Sequence, residues 1–152
     1  MVDNYYKHNN GRIWILWDET RIKVTTHTIS TQFIHYSVSH LNGIRKNWLA
    51  VIYTSNALEQ RKGLWKDLTN IQANVTEAWC LMGDYNNVLR AQDRIGGNMV
   101  TENEYKDLID MMDQVGLYEK DGCDDHFTWC NNQRNDMIYS RIDRVLGNIN
   151  WL

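Results

Sequence analysis

The chain has 152 residues, 43% hydrophobic and 23% charged, which supplies one core and is too short for two. No apolar run approaches the roughly 18 residues of a membrane span, and Met1-Val2-Asp3-Asn4-Tyr5-Tyr6-Lys7 lacks the apolar segment of a secretion signal, so an intracellular protein, nuclear or cytoplasmic and not secreted, is expected. The formal net charge of -3 argues against a basic footprint over the whole surface for nucleic acid, while leaving a local basic rim open.

Residues 1–10 are polar and read as a frayed end. From Gly11 the chain turns strand-like, with Arg12-Ile13-Trp14-Ile15-Leu16-Trp17 closed by the turn Asp18-Glu19-Thr20. A second strand fits Gln32 to Ser39, followed by the turn signal Asn42-Gly43. Trp48-Leu49-Ala50-Val51-Ile52-Tyr53 is continuously apolar and reads as a buried strand. A helix over 57–73 follows, with Leu58, Arg61, Leu64, Trp65, Leu68 and Ile71 on one face. The short strand Ala78-Trp79-Cys80-Leu81-Met82 ends at Gly83-Asp84, and a loop runs through Asp93-Arg94-Ile95-Gly96-Gly97. Thr101-Glu102-Asn103-Glu104 is a capping box. It starts a helix whose apolar face is Tyr105, Leu108, Ile109, Met112 and Val115, and Gly116 suits its C-terminal stop. His126 to Trp129 and Ile138 to Leu146 are the last strand candidates. The order β-β-β-α-β-α-β-β is no plain βαβ series; it suits two sheets packed together with helices outside.

Chemistry concentrates at strand ends. After one buried strand, Gly83 allows a sharp turn, and Asp84 and Asn86 emerge two residues apart. A carboxylate and an amide so placed can accept the proton of a hydrolytic water and orient it or hold a metal. They are also ordinary turn formers. Tyr53-Thr54-Ser55-Asn56 stands at the end of the other buried strand. Phe127-Thr128-Trp129 and Ser140-Arg141-Ile142-Asp143-Arg144-Val145-Leu146 follow in order.

This ordered set resembles the endonuclease/exonuclease/phosphatase, or DNase I-like, superfamily, and within it the endonuclease domains of plant non-LTR (LINE-type) retrotransposons. The similar wording runs through Gly11-Arg12-Ile13-Trp14-Ile15-Leu16-Trp17-Asp18, Gln60 to Leu68, Met82-Gly83-Asp84-Tyr85-Asn86-Asn87-Val88-Leu89, Asp93 to Gly97, and Arg141 to Asn148. The resemblance implies a partial four-layer α/β/β/α sandwich, an α/β (α+β) fold, over residues 11–152. It implies that Asp84 takes the proton of the attacking water or helps hold the metal, with Asn86 beside it. It implies that Tyr53 and Asn56 contact phosphate, and that Asp143 is an acid fixing the tautomer of a catalytic histidine. Magnesium is the implied cofactor and DNA the implied partner; the metal takes one or two carboxylates and keeps several waters.

Two elements of that family are not found: a metal-binding Glu in a Glu-Thr strand end, and a Ser-Asp-His segment. Glu19-Thr20 does not substitute, because residues 11–18 match the strand after the one bearing that Glu. Each lost donor in such a site costs about 2.7–4 kcal/mol in barrier, so a fragment of a magnesium-dependent DNA phosphodiesterase with little or no turnover alone is expected. His8, His27, His35, His40 and His126 read as packed or solvated side chains.

Three other readings compete. Cys123, His126 and Cys130 have the spacing of three zinc ligands, but a structural site needs four, and three cysteines suit a reducing compartment. A non-catalytic remnant binding nucleic acid or a partner would use Arg45, Lys46, Arg61, Lys62 and Lys66, whose scattered charge reads as a solvated face. A phosphatase of the same fold would act on small phosphoesters.

Overall fold

The computed structural model describes residues 1–7, 11–43, 46–120, 122 and 125–152. In chain order the elements are β1 (Val2–Asp3), β2 (Trp14–Ile15), β3 (Ile22–Ile29), β4 (Phe33–His40), β5 (Lys46–Tyr53), α1 (Leu58–Gln72), β6 (Trp79–Asp84), β7 (Arg94–Ile95), α2 (Glu102–Val115), β8 (Tyr118–Glu119), β9 (Trp129–Cys130), β10 (Tyr139–Ser140) and β11 (Asp143–Gly147). Six strands form one mixed sheet in the order β3-β4-β5-β6-β11-β8. Strands β3 to β5 make an antiparallel meander. Helix α1 then crosses over to bring β6 parallel to β5, and β11 returns antiparallel to β6. Strands β7-β10-β9 form a separate small sheet, and β1-β2 a ribbon.

Alternation divides the main sheet into two faces. One carries Phe33, Ala50, Ile52, Trp79, Leu81 and Leu146 against Leu64, Trp65 and Leu68 of α1 and Leu108, Met111, Met112 and Val115 of α2. The opposite face carries Ile34, Tyr36, Leu49 and Val51, covered by Ile13 and Ile15 of the ribbon region. Both helices lie with the first core. Among the described residues, the second core is closed by Ile13 and Ile15 with Val2 and Trp17 packed beside them, so the architecture is an α+β fold holding part of the expected sandwich.

Helix α2 starts as its sequence dictates. The Thr101 and Glu104 side chains complete the capping box, and Gly116 ends the helix at φ 72°, a left-handed turn that glycine takes without strain. Gly83 is needed for a different reason. A Cβ there would sit 2.0 Å from the Ile52 carbonyl oxygen, so only glycine lets β6 approach β5 just before Asp84.

Four readings of the sequence change. The N-terminal residues are not a loose tail: Val2 and Asp3 pair with Ile15 and Trp14, and Asn4 is fully buried. Strand β2 is only two residues long, because the ribbon partner is equally short. Ile22–Ile29, unassigned in the sequence, is an edge strand in which half-buried Ile22, Val24, Thr26 and Ile29 are set between exposed Lys23, Thr25, His27 and Thr28. The expected strand from Ile138 to Leu146 is two strands in two sheets, β10 and β11. No helix of the described residues is long and apolar enough to cross a membrane.

Candidate active site

The register of three strands assembles the site. Tyr53, the last residue of β5, pairs with Asp84, the last of β6, and Asp84 pairs with Asp143, the first of β11. Three residues distant in sequence therefore stand in one row across neighbouring strands. Side chains in such a row sit about 4.5–5.5 Å apart at Cβ, so two carboxylates become neighbours with a phenol beside them.

The loop after Asp84 is heavily braced. An Asp84 carboxylate oxygen accepts the Asn86 backbone N–H at 2.7 Å. Asn86 sits at φ 43°, a left-handed conformation that Asn tolerates. Its side-chain amide donates to the Thr54 carbonyl at 2.8 Å, tying the end of β6 to the end of β5. Arg61 of α1 reaches underneath: it donates to the Asn86 carbonyl and, at 2.7 Å, to the Asn87 side-chain oxygen. Arg61 is only 7% exposed. It is therefore a buried brace of the Asp84–Asn87 loop and no part of a solvated basic face.

Electrostatics set the state of Asp84. Burial raises its carboxyl above the usual range, the Asn86 N–H draws it down, the neighbouring Asp143 pushes it up, and Arg12 draws it down. Like-charge pressure of this kind is relieved by a cation or by a proton.

Tyr53, Asn56, Asp84 and Asn86 line one cleft of 460 Å³, closed on the far side by Arg94, Trp129, Ser140 and Ile142. Arg94, Ser140 and Trp129 pair in register across the small sheet, so that sheet supplies the opposite wall. A second hollow of 600 Å³ shares Tyr53 and Asn56 and adds Arg12, Thr31, Gln32, Thr54, Ser55 and Gln60. Four of the five residues expected at the site thus line the cleft. Asp143 joins them through its pairing with Asp84 but borders the adjacent hollow with Thr128, Arg141 and Val145. Glu19 and Thr20 lie in the turn before β3, where Asp18 accepts the Thr20 N–H and hydroxyl.

Several motif residues act by support. The Thr128 hydroxyl oxygen accepts the backbone N–H groups of Ile142 and Asp143 at 3.1 and 3.0 Å, which fixes the start of β11. Asp93 and Arg144 form a wholly buried ion pair at 2.7 Å. Asp93 also accepts the Leu89 N–H at 2.8 Å, and Arg144 also pairs with Glu119. This network locks the loop before β7 to β11.

Sequence reading missed Arg12, whose guanidinium donates to the Tyr53 hydroxyl at 2.9 Å and stacks over its ring with 4.9 Å to the centroid. The signal was present, since Arg12 precedes Ile13 in an alternating run whose Ile13 and Ile15 are buried. Arg94, Ser140 and Trp129 were also missed as wall residues, because two-residue strands leave little periodicity. Of the competing sites, Cys123, Arg45 and His8 lie outside the described residues. His126 stands 3.5 Å from Asp93, and no group of three His, Cys, Asp or Glu side chains suited to a metal occurs among the described residues.

No family model and no curated protein matches the sequence. Among solved structures, the endonuclease domain of TRAS1, a telomere-specific non-LTR retrotransposon, superposes with a TM-score of 0.60 at 13% identity, over 88% of this chain and 58% of that one. TDP2 from D. rerio, solved with a single-strand DNA product, gives 0.49 at 13% identity over 86% of this chain and 54% of that one. The human Nocturnin catalytic domain, solved with a bound sulfate, gives 0.48 at 14% over 86% and 50%. The fold assignment rests on the first. The chain therefore has an α+β fold resembling that of the DNase I-like endonucleases, and it spans about 58% of the length of the TRAS1 domain it matches.

Proposed function

We propose that these residues carry the water-activating and phosphate-contacting part of a magnesium-dependent DNA phosphodiesterase site of the retrotransposon endonuclease type. The observation that supports this best is the row Tyr53–Asp84–Asp143 at the ends of three adjacent strands, with Asn86 braced beside Asp84 and opening on the same cleft. Hydrolysis of a phosphodiester needs a base for water, donors for phosphate oxygens and a cation.

The roles follow from position. Asp84, turned toward the cleft and held by the Asn86 N–H, accepts the proton of a water. Tyr53 and Asn56 donate to the phosphate oxygens. Asn86 orients the water or a ligand of the cation. The donor set fits magnesium weakly: Asp84 would be its first ligand, with Asp143 beside it, and a two-carboxylate set is the kind this ion accepts. When bound, the ion polarises a phosphoryl oxygen. Asp143 serves either the cation or, as in the family, a histidine.

The sequence contains no Ser-Asp-His run, and on our reading no Glu occupies the position of the family's metal ligand. We therefore propose that these residues alone turn over little DNA. Supercoiled plasmid incubated with Mg²⁺ should remain largely intact, with no difference between the parent chain and Asp84→Ala. Robust nicking by the parent that disappears in Asp84→Ala would contradict the inactivity while upholding the site. Nicking that persists in the variant would contradict the site.

A further inference from the structure

We propose that Arg12 is the phosphate-binding cation of the hollow beside this cleft, contacting a backbone phosphate of the nucleic acid while holding Tyr53 ready to donate to it; this rests on the phosphodiester reading above.

Arg12 does not come from the main sheet. It is delivered by the chain that leads into β2, and a buried side chain fixes that chain. Asn4, fully buried, accepts the Arg12 and Ile13 N–H groups at 3.0 and 3.2 Å. Its amide donates to the Ser30 and Thr31 carbonyls at 3.3 Å each. One asparagine thus ties the Arg12 backbone to the loop between β3 and β4, beside Gln32 and Tyr53.

The side chain is then aimed by Tyr53. Stacking at 4.9 Å and the 2.9 Å bond to the phenol oxygen set the guanidinium plane. Because that oxygen accepts from Arg12, the phenol's own hydrogen is turned toward another acceptor. A guanidinium has five N–H donors in a fixed fork, so the bond to Tyr53 leaves others for an anion, and a fork suits a phosphate. Arg12 is exposed and opens on the polar hollow with Gln32, Ser55 and Asn56, next to the Asp84 cleft.

An arginine stacked on a surface tyrosine needs no ligand to exist; such a pair is worth about 0.5–1 kcal/mol. Two observations separate Arg12 from that case. The site holds two neighbouring carboxylates, which repel a phosphate unless a cation stands near. Among the described residues lining the cleft and the hollow, the cations are Arg12 and Arg94, and Arg94 is already paired with Glu104 at 2.9 Å.

The test is binding of a short DNA duplex from low to moderate salt by the parent chain, Arg12→Gln and Lys66→Gln, the last on α1 away from the cleft. Arg12→Gln should flatten the log–log salt slope by about 0.9, one phosphate's worth, and Lys66→Gln should match the parent. A parent that binds while Arg12→Gln keeps the parent slope overturns the role of Arg12 and leaves the DNA reading standing. A parent that binds no duplex even at low salt overturns both. A direct readout needs no variant: the guanidinium nitrogen resonances of Arg12 should shift on adding duplex, and resonances that stay fixed while the protein is saturated would overturn the proposal.

Discussion

The placement of Asp84, Asn86 and Tyr53 at strand ends around one cleft was legible because each stands where an apolar run stops. A strand end is visible in sequence, and a polar residue there has few structural duties. What each touches was not legible. Asn86 turned out to brace its own loop through Thr54, and Arg61, read as part of a helix face, turned out to hold that loop from below. His27 was read as a packed or solvated side chain, without its partners. The β3–β4 register shifts between Thr26 and Thr28, so His27 sits in a bulge, and its ring meets Trp48 at 4.7 Å and His35 at 5.9 Å.

That cluster makes a residue-scale prediction. His35 is 3% exposed, and no hydrogen-bond partner reaches its Nε2. Burial lowers its pKa first, then the nearby His27 and Lys46, to about 4. A folded pKa below the unfolded value of about 6.5 means that the unfolded chain takes up the proton first. Stability from this group is full above pH 6.5 and falls as the pH drops toward 4. His35→Phe should abolish about 2–3 kcal/mol of the loss between pH 7 and 4.5, measured by urea denaturation at both pH values. Equal losses in parent and variant would contradict a neutral buried His35.

Elements with strong periodicity or caps were readable: α1, α2, β4, β5 and the core of β6 fall within a residue or two of expectation. Elements of two residues, and the polar edge strand β3, carry too little pattern for that. The run from Ile138 to Leu146 looked like one strand because its composition is continuous. It breaks at Arg141–Ile142 because the Arg141 backbone N–H turns to the Asp93 carbonyl and Arg144 is drawn inward to the Asp93 carboxylate. That ion pair, invisible in composition, sets where β11 begins and hence where Asp143 stands. Removing Asp93 leaves Arg144 with Glu119 alone and takes the acceptor from the Leu89 N–H, at a cost of about 3 kcal/mol, the low end for a broken buried pair. Asp93→Ala should lose stability of that size in denaturant unfolding. A loss under about 1 kcal/mol would show that the pair is not buried as described.

At the scale of the whole molecule, two cores lie on the two faces of one sheet. The helix-covered face is closed. On the other, the ribbon covers β4 and β5, while Val145 on β11 is 37% exposed and Met82 half-buried. An apolar sheet face left open in this way favours association. The α+β fold was legible as an ordered set of weak motifs; that the smaller pairings among the described residues are two-residue ribbons was not, because such pairings leave no sequence signature. The central feature remains the carboxylate row at the strand ends. Its most direct test is addition of Mn²⁺, a paramagnetic stand-in for Mg²⁺, to the isotopically labelled chain. Backbone amide signals of Tyr53, Asp84, Asn86 and Asp143 should broaden first, and the effect should vanish in Asp84→Asn. Broadening that begins instead on the acidic face of α2, at Asp107 and Asp110, or that is unchanged in Asp84→Asn, would contradict a cation site at this row.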